Sequence, residues 1–245
     1  MTLIAHLSDP HLDTSPHRLR RLEAVLAAVS SLPDVDAIVL SGDLADHGAA
    51  EEYAQLFATL PVDIPTIVVP GNHDHSETML HSQAQAGLNP ALSGFIDVGE
   101  VRVIGLDSHL DARVEGHLTP DTIDFARHAA SSAPGTVLLT MHHPPVPVGH
   151  DVADRWNLEN TSDLEALIVG NARIIGVLTG HVHSALAASF AGVPVLGAPG
   201  IVSTMRLGSR LNPIADDTAM PGLAIHTIDG TAIRTVFHYL SPAEL

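Results

Sequence analysis

Five short polar clusters punctuate the chain: Asp9 with His11, then Asp43, then Asn72-His73-Asp74, then His142-His143, then His181 with His183. Carboxylates, imidazoles and a side-chain amide brought to one place make an oxygen/nitrogen metal site. Such a donor set suits Mn²⁺, Fe or Zn²⁺, with Co²⁺ or Ni²⁺ also accepted, over copper(I) or an iron–sulfur cluster. The seven candidates Asp9, His11, Asp43, Asn72, His142, His181 and His183 exceed the ligand set of one tetrahedral zinc. They suit two metals that share a bridge. The chain has no cysteine, which removes disulfides, thiolate zinc sites and cysteine nucleophiles. Of its 17 histidines, only those at chemically useful positions bear on such a site.

Position is what separates them. Each cluster directly follows a short apolar run: 3–7, 36–40, 65–69, 136–141 and 173–178 all read as strands. Between the first three runs, helical spacing predicts helices over 18–32 and 49–60, with Leu19, Leu22, Val25, Leu26 and Val29 on one apolar face. Strand, loop and helix in repetition imply parallel strands with crossover helices. Ligands of such sheets sit beyond the carboxyl ends of the strands. Further on, Gly99-Glu100 and Asp229-Gly230 mark hairpins between 95–98 and 101–106 and between 223–228 and 232–239. Helices are expected over 76–86, 119–132 and 162–169, and short strands over 185–190 and 193–196. No internal repeat, low-complexity tract or linker interrupts the chain, so one domain spanning 1–245 is expected.

Composition narrows the partners. The net charge is −17, and all 11 basic residues are arginines. So acidic a chain argues against nucleic acid or an anionic membrane bound through a broad basic patch. No apolar run reaches the ~18 residues of a membrane helix. The first residues run straight into Asp9 without a basic segment, so no signal peptide is expected. The lack of cysteine fits a reducing cytoplasm.

Taken together the clusters read D-x-H, G-D, G-N-H-D, H near a strand end, and G-H-x-H. In this chain they are Asp9-Pro10-His11, Gly42-Asp43, Gly71-Asn72-His73-Asp74, His142 and Gly180-His181-Val182-His183. In that order they resemble the calcineurin-like metallophosphoesterases over roughly residues 3–190. Within that family, His6 to Leu12, Ser41 to Asp46 and His142-His143-Pro144-Pro145 look most like the bacterial cyclic-nucleotide and glycerophosphodiester phosphodiesterases. The resemblance implies an α/β fold: a four-layer α/β/β/α sandwich of two mixed sheets with flanking helices. It implies that Asp9, His11 and His183 bind one metal, that Asn72, His142 and His181 bind the other, and that Asp43 bridges them. The reaction implied is in-line attack on phosphorus by a metal-bridging hydroxide. His73 is expected to contact the phosphoryl group or protonate the leaving alkoxide, and Asp74 to orient His73.

The substrates expected are small soluble phosphodiesters, first cyclic nucleotides (3′,5′ or 2′,3′), then glycerophosphodiesters. Phosphomonoesters on the same site, or a non-catalytic scaffold that keeps the fold, are the rivals. A homodimer is expected. His143, Arg206 and Arg210 are candidates for substrate contact, the arginines having Asp216 or Asp217 as ordinary salt-bridge alternatives. Asp46 and His47 read as a solvated helix entry and His6 as a core residue. His17, His75, His81, His128, His226 and His238 read as surface histidines. Trp156, the only tryptophan, lies in the 146–160 loop, where a lid, a stacking face and an interface are all open.

Overall fold

A computed structural model describes residues 1–206 and 214–245. Arg210 therefore lies outside the described residues. The chain opens with β1 (Thr2–Leu7), α1 (Pro16–Ser31), β2 (Ala37–Ser41), α2 (Ala50–Thr59), β3 (Thr66–Val69) and α3 (Ser76–Gln85). It continues with β4 (Gly94–Val98), β5 (Val101–Gly105), α4 (Pro120–Ser131), β6 (Thr136–Thr140), α5 (Thr161–Val169) and β7 (Ile174–Thr179). It closes with β8 (Leu186–Phe190), β9 (Val193–Gly197), β10 (Thr204–Met205), β11 (Ala215–Asp216), β12 (Gly222–Asp229) and β13 (Ala232–Tyr239).

The strands form two large sheets. One has the order β13-β12-β1-β2-β3, with β1, β2 and β3 parallel and β12 and β13 antiparallel. The other has the order β4-β5-β6-β7-β9-β8, parallel except at its edge strands β4 and β8. The short pair β10-β11 stands apart and was not expected from the sequence.

Side-chain alternation decides which face each sheet offers to which neighbour. Ala5 and Leu7 of β1 and Ile38 and Leu40 of β2 pack outward with Leu22 and Val25 of α1 and Leu56 of α2. Their neighbours Ile4, Ala37 and Val39 point the other way, against Val101, Val103, Leu138 and Leu178 of the second sheet. The far face of the second sheet, with Val137, Leu139 and Val177, meets Ile123 and Ala126 of α4 and Leu164 of α5. Three apolar interfaces make four layers, α/β/β/α. Helix starts follow local chemistry. Ser15 and Thr119 accept the N–H groups of Arg18 and Thr122 at the entries to α1 and α4, each just before a proline that needs no donor.

Candidate metal centre

Each polar cluster occupies the turn where a strand ends: Asp9 and His11 after β1, Asp43 after β2, Asn72 and His73 after β3, His142 after β6, His181 and His183 after β7. These turns are tight. Asp9, His11, Asp43, His181 and His183 have φ of 53°, 43°, 47°, 71° and 50°. A left-handed backbone is costly for most L-residues, and Asp and His are among the types that tolerate it. Successive backbone bonds, from Asp9 N–H to Gly42 O (3.2 Å) and from His11 N–H to Asp43 O (2.9 Å), tie the first turn to the second. Glycine allows the two sheets to close. Gly42 has φ 100°, and a Cβ there would lie 2.3 Å from Nδ1 of His142. A Cβ on Gly180 would lie 2.0 Å from Oγ of Ser8.

Asp43 sits at the middle of the cluster. Its Oδ2 is 3.3 Å from Nε2 of His11 and 3.3 Å from Nε2 of His142. Nε2 of His11 also lies 3.2 Å from Nε2 of His183, which is 3.4 Å from Oδ1 of Asp9. Nε2 of His142 lies 3.2 Å from Oδ1 of Asn72 and 3.2 Å from Nδ1 of His181. Asp9, His11, Asp43 and His183 thus offer ligand atoms within 4.8 Å of one another, and Asn72, His142 and His181 converge on the other side of Asp43.

The protein fixes which ring nitrogen faces inward. Nδ1–H of His11 donates to Oδ1 of Asp46 (3.0 Å), and Nδ1–H of His142 donates to the carbonyl of Ser41 (2.7 Å). Nδ1 of His183 is bonded to Oγ of Ser203 (2.7 Å). Three Nε2 atoms are therefore presented to one small space beside two carboxylates. Oδ2 of Asp9 and Nε2 of His181 are buried there without a hydrogen-bond partner. Buried polar atoms without partners are costly, and divalent cations satisfy this set. The residues fit a metal centre.

Charge is uneven across the cluster. Burial alone would lower the His11 imidazole, but Asp43, Asp46 and Asp9 overcome it and raise it to about 10. Burial also opposes protonation of His142, yet Asp43 raises it to about 9. Burial and the neighbouring His142 lower His181 to about 3, and burial lowers His183 to about 4 despite Asp9.

His73 stands at the rim. Its Nδ1–H donates to the backbone carbonyl of Asp46 (2.9 Å), and the ring borders the main cavity. Asp74 does not orient it. Both Asp74 oxygens are taken by backbone N–H groups, from Gly71 (2.8 Å), Leu44 (3.1 Å) and Ala45 (3.1 Å), so the carboxylate clamps the β2 turn to the β3 turn. Asp46, read from sequence as a solvated helix entry, instead carries His11 on its carboxylate and His73 on its carbonyl. Nη1 of Arg18 holds that carboxylate at 2.8 Å. His143 is fully buried, Nε2–H donating to the carbonyl of Val114 (3.1 Å) and Nδ1 bonded to Oγ of Ser108 (2.8 Å). Its ring packs against those of His142 and His181, both at 4.9 Å, and both its nitrogens are spoken for, so it supports ligands rather than touching substrate. Arg206 borders a separate, smaller cavity and donates to the carbonyl of Ala215 (3.2 Å), with Asp216 at 3.8 Å. This is the salt-bridge alternative, not the substrate contact. His226 is not at the surface. It alternates with Ala224 and Ile228 on the buried face of β12 and bonds His6 (3.1 Å).

The cavity in front of the cluster has a volume of about 280 Å³. His11, Asp43, Asn72, His73, His181 and His183 form its polar side, and Val114, Trp156, Met205 and Ile214 contribute an apolar side.

A two-sheet α/β sandwich that gathers carboxylates, imidazoles and an amide at its strand ends defines a metallohydrolase. The calcineurin-like phosphoesterase family model matches residues 2–185, and the chain belongs to that family. It is 30% identical over 248 residues to a probable cyclic nucleotide phosphodiesterase of Rhodococcus erythropolis, covering 95% of this chain and 82% of the relative. It is 32% identical over 197 residues to the glycerophosphodiester phosphodiesterase GpdQ of Enterobacter lignolyticus, covering 74% of this chain and 71% of the relative. Among solved structures, a dimetal phosphatase from Danio rerio superposes with a TM-score of 0.66 at 12% identity, covering 98% of this chain and 99% of that one. That likeness speaks to the fold. Among the described residues no helix is long and apolar enough to cross a membrane.

Proposed function

We propose that this chain is a metal-dependent phosphodiesterase of small soluble diesters, with cyclic nucleotides as the leading substrates. The observation that carries this reading is the convergence of carboxylate, imidazole and amide ligand atoms on Asp43 at the floor of an open cavity. In this reading Asp9, His11 and His183 would hold one cation and Asn72, His142 and His181 the second, with Asp43 shared between them. Mn, Fe and Zn all accept these ligands. When bound, two such cations supply Lewis acidity toward the phosphoryl oxygens and lower the pKa of a coordinated water. Asp46 and Ser41 keep the His11 and His142 rings turned inward. His73, with Nδ1–H committed to the Asp46 carbonyl, has Nε2 to hold a proton for the departing alkoxide. The Asp46 carboxylate lies 3.9 Å from that ring.

The GpdQ relative supports a second reading on the same residues, hydrolysis of glycerophosphodiesters. For placement and assembly, we propose a cytoplasmic homodimer. The lack of cysteine supports the first part. The exposed Val236 and Tyr239 on edge strand β13 support the second, which light scattering would decide.

The deciding experiment loads the protein with Mn²⁺ and compares bis(p-nitrophenyl) phosphate with the monoester at neutral pH. A chelator-sensitive preference for the diester is expected, followed by turnover of cyclic nucleotides in a substrate panel. Preference for the monoester would overturn the phosphodiesterase reading. Turnover of diesters without any cyclic nucleotide would move the substrate class to glycerophosphodiesters.

A further inference from the structure

The apolar side of the main cavity has no counterpart among the sequence clusters. Its largest member is Trp156, which is half-buried. The residue caps a short 3₁₀ turn, Ala153–Arg155, inside a segment otherwise without regular structure. That turn is anchored closely for a surface loop. Nδ1 of His150 accepts the N–H groups of both Val152 and Ala153 (3.3 Å each). The Asp154 carboxylate accepts those of Val148 (2.6 Å) and Gly149 (3.1 Å). Trp156 N–H donates to the carbonyl of Ala153 (2.9 Å), and Leu158 N–H to that of Pro144 (3.1 Å). Pro144 lies two residues beyond His142. The backbone that carries Trp156 is therefore tied, through Leu158 and Pro144, to the strand end that bears His142.

We propose that Trp156 is the stacking platform for the nucleobase of a cyclic nucleotide, and so the residue that selects nucleotide diesters over glycerol diesters. This rests on the phosphodiesterase reading and names its substrate class. A diester with its phosphorus at the cluster puts its organic part against Val114, Trp156, Met205 and Ile214. Glycerol groups are polar and gain little from such a wall. A planar heteroaromatic gains both burial and stacking, and every base offers a π-face. Among the described residues no charged side chain lines that side of the cavity.

Trp156 is the only tryptophan, so its fluorescence reports this contact alone. The test titrates metal-loaded protein with AMP and with ribose 5-phosphate, which share a phosphate and ribose and differ only in the base. AMP is expected to quench and to bind about tenfold or more tightly, the effect a stacked base has in alanine substitutions. Trp156→Ala, followed by calorimetry, should erase that difference, and Trp156→Phe should keep part of it. In turnover, Trp156→Ala should lower kcat/KM for cyclic AMP relative to bis(glycerol) phosphate about tenfold, mainly through KM. Equal binding of the two ligands, an unchanged AMP advantage in Trp156→Ala, or quenching by glycerophosphocholine in place of AMP would each overturn the proposal. An AMP preference in a protein that hydrolyses no phosphodiester would sink the phosphodiesterase reading while the base platform stands.

Discussion

The two sheets contribute unlike halves of the site. The β1–β2–β3 turns supply both carboxylates of the cluster, Asp9 and Asp43, together with His11 and Asn72; backbone bonds lock the first two turns, and the Asp43 and Asp74 carboxylates lock the third to the second. The β6 and β7 turns supply only imidazoles, and these reach the carboxylates across the packed interface between sheets. The sheets differ below the site as well. The first carries a connected polar line, Thr235 to His226 to His6 to Ser41, where the second buries Arg102, Thr140 and Thr179 at separate places. The first sheet thus fixes charge, and the second fixes geometry. Neither makes a metal centre until the interface packs.

The sharpest way to break this division is to remove the carboxylate on which both halves meet. Asp43→Ala should lower metal-dependent turnover by about 10³-fold or more, because groups that act as a unit fail together. Near-normal steady-state activity would show that the halves do not share a bridge. Asp46→Asn comes next. It keeps the shape but weakens the hold on Nδ1 of His11 on the first sheet alone, and losses of about 10–100-fold in metal affinity or activity follow from such changes. Metal titration followed by activity separates the two.

The interface itself can be tested with neighbours on opposite faces of β6. Leu138 points between the sheets and Leu139 points toward α4, and both are fully buried. Each change to alanine should cost about 2–5 kcal/mol by urea denaturation. Leu138→Ala should also raise the metal concentration needed for half-activity, and Leu139→Ala should do so much less. Equal effects on metal would mean that the sheets behave as one rigid body.

The smallest effect concerns pH. Burial lowers His226 from 6.5 to about 4 and holds His6 well below its usual range. Both are kept neutral in the fold, whereas the unfolded chain takes up protons near 6.5. Their contribution is present in full above that pH and is lost progressively as pH falls toward 4. Urea midpoints from pH 8 to 5 should fall, and His226→Gln should flatten the lower part of that slope.

Much of this was legible in the sequence because it is local. Apolar runs ended at the polar clusters, and the Gly99-Glu100 and Asp229-Gly230 hairpins stood where expected. What escaped depends on partners far along the chain. Asp74 reaches backbone 29 and 30 residues upstream, and His143 is claimed by Ser108, 35 residues away. Spacing within a motif carries no sign of either. His226 was within reach, since the Ala224/His226/Ile228 alternation marks a buried face. The β10–β11 pair is only two residues on each side, too short for any periodicity to announce.

The left-handed turns at Asp9, His11, Asp43, His181 and His183 bear on how this protein would drift. Each is a place where glycine or asparagine would sit more comfortably, and each non-glycine residue in such a turn costs on the order of 1–3 kcal/mol. A population selected only for staying folded, with no demand for turnover, should therefore lose these five residues before it loses the core around them. The descendants would be more heat-resistant and inert, with the same sandwich and an ordinary set of loops at its edge.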